Sequence, residues 1–222
     1  MRIAIAGGHG KIARHTASLL TRRGDEVLAL IRNPEHADEI RATGATPIEA
    51  DLEQLDAEAL AATIRGCEAV VFAAGAGPNS GIPRKDSVDR GAAVLLADAC
   101  ERADVRRYLQ VSSMGVEGVR DDATPEGVGE VFVAYLRAKL AAEDDLRERE
   151  LAWTILRPGG LTDDPATGTV TLTPDAPRGQ VTREDVAAVL VALLDEPRSA
   201  GLVLQLTEGP TPIADAVAAA LH

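Results

Sequence analysis

The sequence predicts an α/β chain folded as a doubly wound parallel sheet with helices on both faces. Three observations carry this reading. Short runs rich in Val, Ile and Ala alternate with longer stretches of helical periodicity. Six connections have the length of a helix, which parallel strands require and hairpins do not. The first strand also runs straight into a glycine-rich turn and then a helix. The strand order expected is 3-2-1-4-5-6 with one extra edge strand.

Strands are predicted at 2–6 (RIAIA), 26–31 (EVLALI), 46–49 (TPIE), 68–73 (EAVVFA), 106–111 (RRYLQV), 152–156 (AWTIL) and 202–206 (LVLQL). Helices fall between them at 11–22, 35–42, 53–65, 86–103, 128–150 and 183–195, with a last one at 212–221. The stretch LTDDPATGTVTLTPDAPRGQ at 161–180 reads as loop with one short strand and is a candidate active-site lid. The irregular segment GAGPNSGIPRK at 75–85 follows the fourth strand, at the carboxyl edge where open α/β sheets bind ligands. Residues 1–222 are read as one domain, its substrate region formed by these two segments.

Composition narrows the function. With 45% apolar and 26% charged residues the chain has the makeup of a globular protein and is too hydrophobic for disorder. No apolar run approaches the roughly 18 residues of a membrane span, and no signal-peptide core follows Met1, so a cytoplasmic location is expected. The net charge of −12 repels nucleic-acid phosphates and anionic lipid. Five aromatics offer little base-stacking surface. The expected partner is a small-molecule substrate, without nucleic acid or membrane, for a monomer or small homo-oligomer. Cys67 and Cys100 show no CxxC spacing, and His9, His15, His36 and His222 form no HExxH pattern, so no metal is expected. The 23 basic residues comprise 20 Arg and only three Lys, which marks Lys11, Lys85 and Lys139 as places where an ammonium is wanted for its own chemistry.

The turn after the first strand reads Gly7-Gly8-His9-Gly10-Lys11-Ile12-Ala13. In this GxxGxxA pattern Gly7 permits the tight turn, Gly10 lets the backbone approach a pyrophosphate, and Ala13 allows close helix–strand packing. The first-turn amides, those of Lys11 and Ile12 among them, face the phosphates. The second strand ends in Arg32-Asn33, where an NAD-preferring site usually has a carboxylate. A guanidinium there matches a 2′-phosphate, so the expected cofactor is NADP(H). Asp51-Leu52 is expected to flank the adenine, and Ala73-Ala74-Gly75 to leave room for ribose and nicotinamide.

The helix at 128–150 carries Tyr135 and Lys139, whose spacing of four puts phenol and ammonium on one face. The strand before it ends Gln110-Val111-Ser112-Ser113-Met114, at the same crevice, so a Ser hydroxyl could meet the Tyr hydroxyl.

With GGHGKIA, IRNP, DL, AAGAG, SVDRGA, VSSMG, YLRAK and RPGGLT in order, nearly the whole chain resembles the short-chain dehydrogenase/reductase superfamily, in its atypical, NAD-dependent epimerase/dehydratase-like NAD(P)H-binding branch. The resemblance implies a Rossmann-like fold. It also implies Tyr135 as general acid/base, Lys139 as the residue that binds the nicotinamide ribose and lowers the Tyr pKa, and Ser113 as holder of the substrate oxygen. Pro158 and Gly159 of the RPGG run would join the cofactor site. The stretch matching the family's fourth catalytic residue, usually Asn, offers Asp89, an acceptor-only group. Only about 60 residues follow Arg157-Pro158-Gly159-Gly160, too few for the substrate domain of extended relatives, which disfavours nucleotide sugars. The reading is an NADPH-dependent reductase of a small carbonyl, quinone or similar acceptor. An NADP(H)-binding redox sensor without turnover is the alternative, with a cofactor-dependent epimerase or dehydratase third.

Overall fold

The computed structural model describes residues 1–77 and 80–221; Pro78 and Asn79 of the 75–85 segment, and His222, lie outside the described residues. The first half of the chain alternates β1 (Arg2–Ala6), α1 (Lys11–Arg22), β2 (Glu26–Ile31), α2 (Ala37–Ala42), β3 (Thr46–Glu49), α3 (Ala57–Ile64) and β4 (Ala69–Phe72). A short α4 (Ile82–Arg84) then opens into a wide π-helical turn (Lys85–Gly91) and α5 (Ala92–Ala103), followed by β5 (Arg107–Val111), α6 (Glu130–Arg147) and β6 (Ala152–Pro158). The last quarter holds β7 (Gly160–Thr162), β8 (Thr169–Thr173), β9 (Gln180–Thr182), α7 (Arg183–Leu194), β10 (Leu202–Glu208), β11 (Thr211–Pro212) and α8 (Ile213–Ala220).

The main sheet runs β11-β8-β10-β6-β5-β4-β1-β2-β3, so the order 3-2-1-4-5-6 is present with extra strands beyond β6. From β3 to β10 all pairings are parallel. Both faces are covered. Ile3, Ile5 and Leu109 pack toward α1 and α7, while Ala4, Val70, Phe72 and Tyr108 pack toward α3, α5 and the end of α6. Strands buried on both sides favour apolar residues at most positions, which is why β1, β2 and β4 read as continuous Val, Ile and Ala runs rather than as alternation.

The expected edge position of the last strand needs correcting. β8 covers β10 in antiparallel register, Leu206 opposite Leu172, and β11 in turn pairs with β8. The 161–180 stretch is therefore largely built into the fold. TVTLT of β8 alternates, with Val170 and Leu172 buried, as a half-covered strand does. Asp185, wholly buried, accepts from the amides of Thr167 and Gly168 and from the hydroxyls of Thr167 and Thr182, tying this stretch to the start of α7. The helix expected at 53–65 begins only at Ala57, where the Asp56 side chain caps it by accepting from the Ala59 amide.

The element that matters for the site is α6, and a buried chain of charges fixes it. Glu143 has no exposed surface. Arg157 of β6 donates to it from Nε (2.9 Å) and Nη2 (2.6 Å), Ser112 donates at 2.5 Å, and Arg147 lies 3.0 Å away. Arg157 reaches on to Glu117 at 2.6 Å, and the hydrogen bond from Arg120, with that from Arg157, pulls the Glu117 carboxyl down to about 2. Removing one partner of a buried pair strands the other, at a cost of about 3–5 kcal/mol. Arg157→Met should lower stability in urea unfolding by about that amount, and Glu143→Leu combined with Arg157→Met should recover part of the loss. Additive losses in the pair would show that the two side chains act independently.

Candidate active site

The glycine turn shows two kinds of glycine. Gly7 has φ +77°, and a Cβ there would lie 2.5 Å from Ala74 Cα; one at Gly8 would lie 2.8 Å from Ala29 Cβ. Both glycines let the turn sit flush against β2 and the end of β4. Gly10 differs: its φ of −59° suits any residue, and a Cβ would meet only the carbonyls of Gly7 (3.2 Å) and Ala73 (3.7 Å). The missing side chain at Gly10 spares a tight approach to the Gly7 carbonyl and leaves this wall of the turn bare. Gly10 is also the N-cap of α1, which has neither a side-chain cap nor an acidic residue in its first turn. The amides of Lys11 and Ile12 are therefore left for an outside acceptor.

A cavity of about 290 Å³ opens here, along the carboxyl edge of β1, β2 and β4. Gly7 and Gly10 form one wall, Arg32, Asn33, Asp51 and Leu52 another, and Ala73, Ala74 and Gly75 the floor. These nine expected cofactor residues are thus brought together. Lys11 and Ile12 sit on α1 beside the cavity and do not line it. The Lys11 ammonium is drawn off to Asp163 (2.5 Å), which Arg183 also holds, so it ties α1 to the segment after β7.

Four further polar residues line the cavity and were not singled out by sequence: His9, His36, Glu53 and Arg84. The rings of His9 and His36 stack 3.5 Å apart between centroids. Glu53 gathers Arg32 (3.2 Å), Arg84 (2.7 Å) and the Ser87 hydroxyl (2.7 Å), and the Arg84 hydrogen bond, then Ser87, holds its carboxyl below the usual range. Two guanidiniums, one from just beyond β2 and one from the 75–85 segment, thereby share one rim. Long-range pairing of this kind leaves no mark on local spacing.

Tyr135 and Lys139 lie outside this cavity, on α6. Lys139 is only 4% exposed and donates to the carbonyls of Ala74 and Val111, each at 3.2 Å. Its Nζ stands 3.3 Å from Asp89 Oδ1, an ion-pair distance without hydrogen-bond alignment, while the other Asp89 oxygen accepts from the Ala76 amide. Asp89 therefore serves as the buried counter-charge of Lys139. The Tyr135 ring lies 5.9 Å from that ammonium and 5.6 Å from the ammonium of Lys85. Ser112 is spent on Glu143, whereas the Ser113 hydroxyl bonds only its neighbour's carbonyl, Met114 O at 3.1 Å. Among the described residues no hydrogen bond joins Ser113 to Tyr135. Pro158 and Gly159 end β6 away from the cavity; a Cβ on Gly159 would lie 2.3 Å from Gly179 O, so that glycine serves the packing of the two segments.

Residues 7–197 match the NAD(P)H-binding family. The chain belongs to that family. It is 34% identical to a Bacillus subtilis protein named "Uncharacterized sugar epimerase YhfK", over 98% of this chain and 99% of that one. A Bacillus halodurans structure with the provisional name NAD-dependent epimerase/dehydratase superposes with a TM-score of 0.89 at 35% identity, covering 99% of both chains. An anaerobilin reductase from Escherichia coli O157:H7 gives 0.78 at 27% identity, over 95% of this chain and all of that one. The resemblance to atypical short-chain dehydrogenase/reductases holds over the whole fold, and the family comprises NAD(P)-dependent oxidoreductases and epimerases. No described helix is long and apolar enough to cross a membrane.

Gly10→Val should block dinucleotide binding, because it adds a branched side chain to a residue that lines the cavity, and should leave the fold intact, because φ at Gly10 suits any residue and its Cβ would meet no side chain. Fluorescence titration with NADPH, beside a thermal melt, checks this. A folded variant that binds NADPH as well as the natural protein would make Gly10 a structural residue only.

Proposed function

We propose that the protein is an NADP(H)-dependent reductase acting on a small carbonyl, quinone or similar acceptor. The observation that carries this reading is the pairing on α6: a half-buried phenol with a buried, counter-charged ammonium one turn away. A cofactor-binding sensor requires neither group.

The family match implies NAD(P)H, and the residues present fit it. The space kept open by Gly10 and the uncapped start of α1 suit a pyrophosphate. Arg32, with Arg84 beside it on Glu53, supplies guanidinium at the rim for a 2′-phosphate, which supports NADP(H) over NAD(H). When bound, NADPH supplies the hydride. Ser113, whose hydroxyl is not spent on the α6 network, holds the acceptor oxygen. Tyr135 gives its phenolic proton to that oxygen as the neighbouring carbon is reduced, and recovers one from solvent. The charge left on the phenol is offset by the Lys139 ammonium, 5.9 Å from the ring centre and held in place by Asp89 and two carbonyls.

Tyr135→Phe removes the proton and keeps the ring. Turnover on a carbonyl acceptor should fall by about 10²–10⁴ with NADPH affinity nearly unchanged. The assay is loss of NADPH absorbance against a panel of aldehydes, ketones, quinones and flavins. Tight NADPH binding with no turnover on any acceptor would overturn the reductase reading and favour a sensor.

A further inference from the structure

Lys85 is left unused by the chemistry above. Of the three lysines, Lys11 is exposed and pairs with Asp163, while the other two are buried, their ammoniums 5.6 and 5.9 Å from the centre of the Tyr135 ring. Their surroundings differ. Lys139 donates to two carbonyls and has the Asp89 carboxylate beside it as counter-charge. Lys85 is 5% exposed, donates at 2.6 Å to the carbonyl of Gly77, and has no carboxylate within 4.0 Å among the described residues. A buried ammonium without a counter-charge is costly, and in a chain with 35 acidic residues a partner would have been easy to supply.

The backbone goes out of its way to bury it. Lys85 opens the π-helical turn at Lys85–Gly91, a rare geometry that tends to mark functional sites, and both Lys85 and Asp89, four residues on, are buried in it. Apolar surface flanks the same place. Ile82 on α4, which packs against α6, is 46% exposed, and Phe132, its ring 5.5 Å from that of Tyr135, is 51% exposed. Large hydrophobics left this open around a half-buried phenol suit the body of an organic ligand.

We propose that Lys85 binds a carboxylate on the substrate, whose apolar body lies against Phe132 and Ile82, so that the acceptor reduced at Tyr135 is an anionic, largely hydrocarbon carbonyl or quinone compound. One ammonium balances one negative charge, which fits a carboxylate better than a phosphate dianion. The substrate class rests on the reductase reading; the anion site itself does not.

The test therefore begins with binding. Calorimetric titration of the NADP⁺-saturated protein with benzoate, benzamide and phenyl phosphate should show benzoate at least about tenfold tighter than the neutral, isosteric amide, the scale of a hydrogen bond to a charged group. Lys85→Met should erase that preference with NADP⁺ affinity unchanged. Lys85→Arg, which keeps the charge should the Met variant fail to fold, should retain part of it. In turnover, Lys85→Met should raise KM for terephthalaldehydic acid far more than KM for benzaldehyde. Equal binding of benzoate and benzamide by the natural protein, or a preference that survives Lys85→Met, overturns the proposal. Tighter binding of phenyl phosphate overturns the choice of carboxylate. Absence of turnover beside a Lys85-dependent benzoate preference removes the reductase reading and leaves the anion site standing.

Discussion

A carboxylate buried where no water can reach it must be held by protein groups, and the placement of α6 follows from how Glu143 is held. Arg157 comes from β6, Ser112 from just beyond β5, and Glu143 from the fourth turn of α6, so satisfying one charge fixes a helix against two strands. One turn earlier on the same helix, Lys139 is pinned by Asp89 from the π-helical turn and by the ends of β4 and β5. Tyr135, another turn earlier, carries no such tether and reaches the mouth of the site half-buried. Residues at 135, 139 and 143 thus form one stripe along the helix, rigid where it is charged and open where a proton would move.

The cofactor end of the cleft is governed by a different constraint, closeness of backbone. Gly7 and Gly8 let the turn lie against β4 and β2 without a side chain between them, and Gly10 keeps clear the space they create. The basic groups then gather on one acidic residue, Glu53, which draws Arg32 and Arg84 to a common rim. In a chain carrying a net charge of −12, such local concentration of guanidinium is what an anionic ligand requires.

Much of this was legible in the sequence because local rules and tertiary demands agree. The seven principal strands stand where their runs put them; the central ones, β1, β2 and β4, are covered on both faces and carry an unmistakable apolar composition, whereas β3, at the sheet edge, has no buried residue. The glycine turn was readable because each glycine answers a steric need. What escaped notice depends on long-range pairing or on very short elements. β7 and β9 are three residues each and stabilise one another, and β8 is recognisable as an edge strand only once β10 is seen beside it. Ser112 and Ser113 are adjacent and equivalent by type; the family resemblance alone pointed to Ser113, and the engagement of Ser112 with Glu143 shows in the fold how the two differ. Arg84, His9 and His36 reach the cavity from separate segments, and Lys85 stood out by its rarity before anything showed it buried against Tyr135.

Charge is therefore arranged in two layers, a buried set that holds α6 and a rim set around the glycine turn, and the account depends on the rim set recognising a phosphorylated dinucleotide. Calorimetric titration of the natural protein with NADPH and with NADH tests this most directly. The account predicts that NADPH binds more tightly by about 1.5–3 kcal/mol, the contribution of charged hydrogen bonds to the 2′-phosphate. Equal affinities, tighter NADH binding, or no binding of either would contradict it.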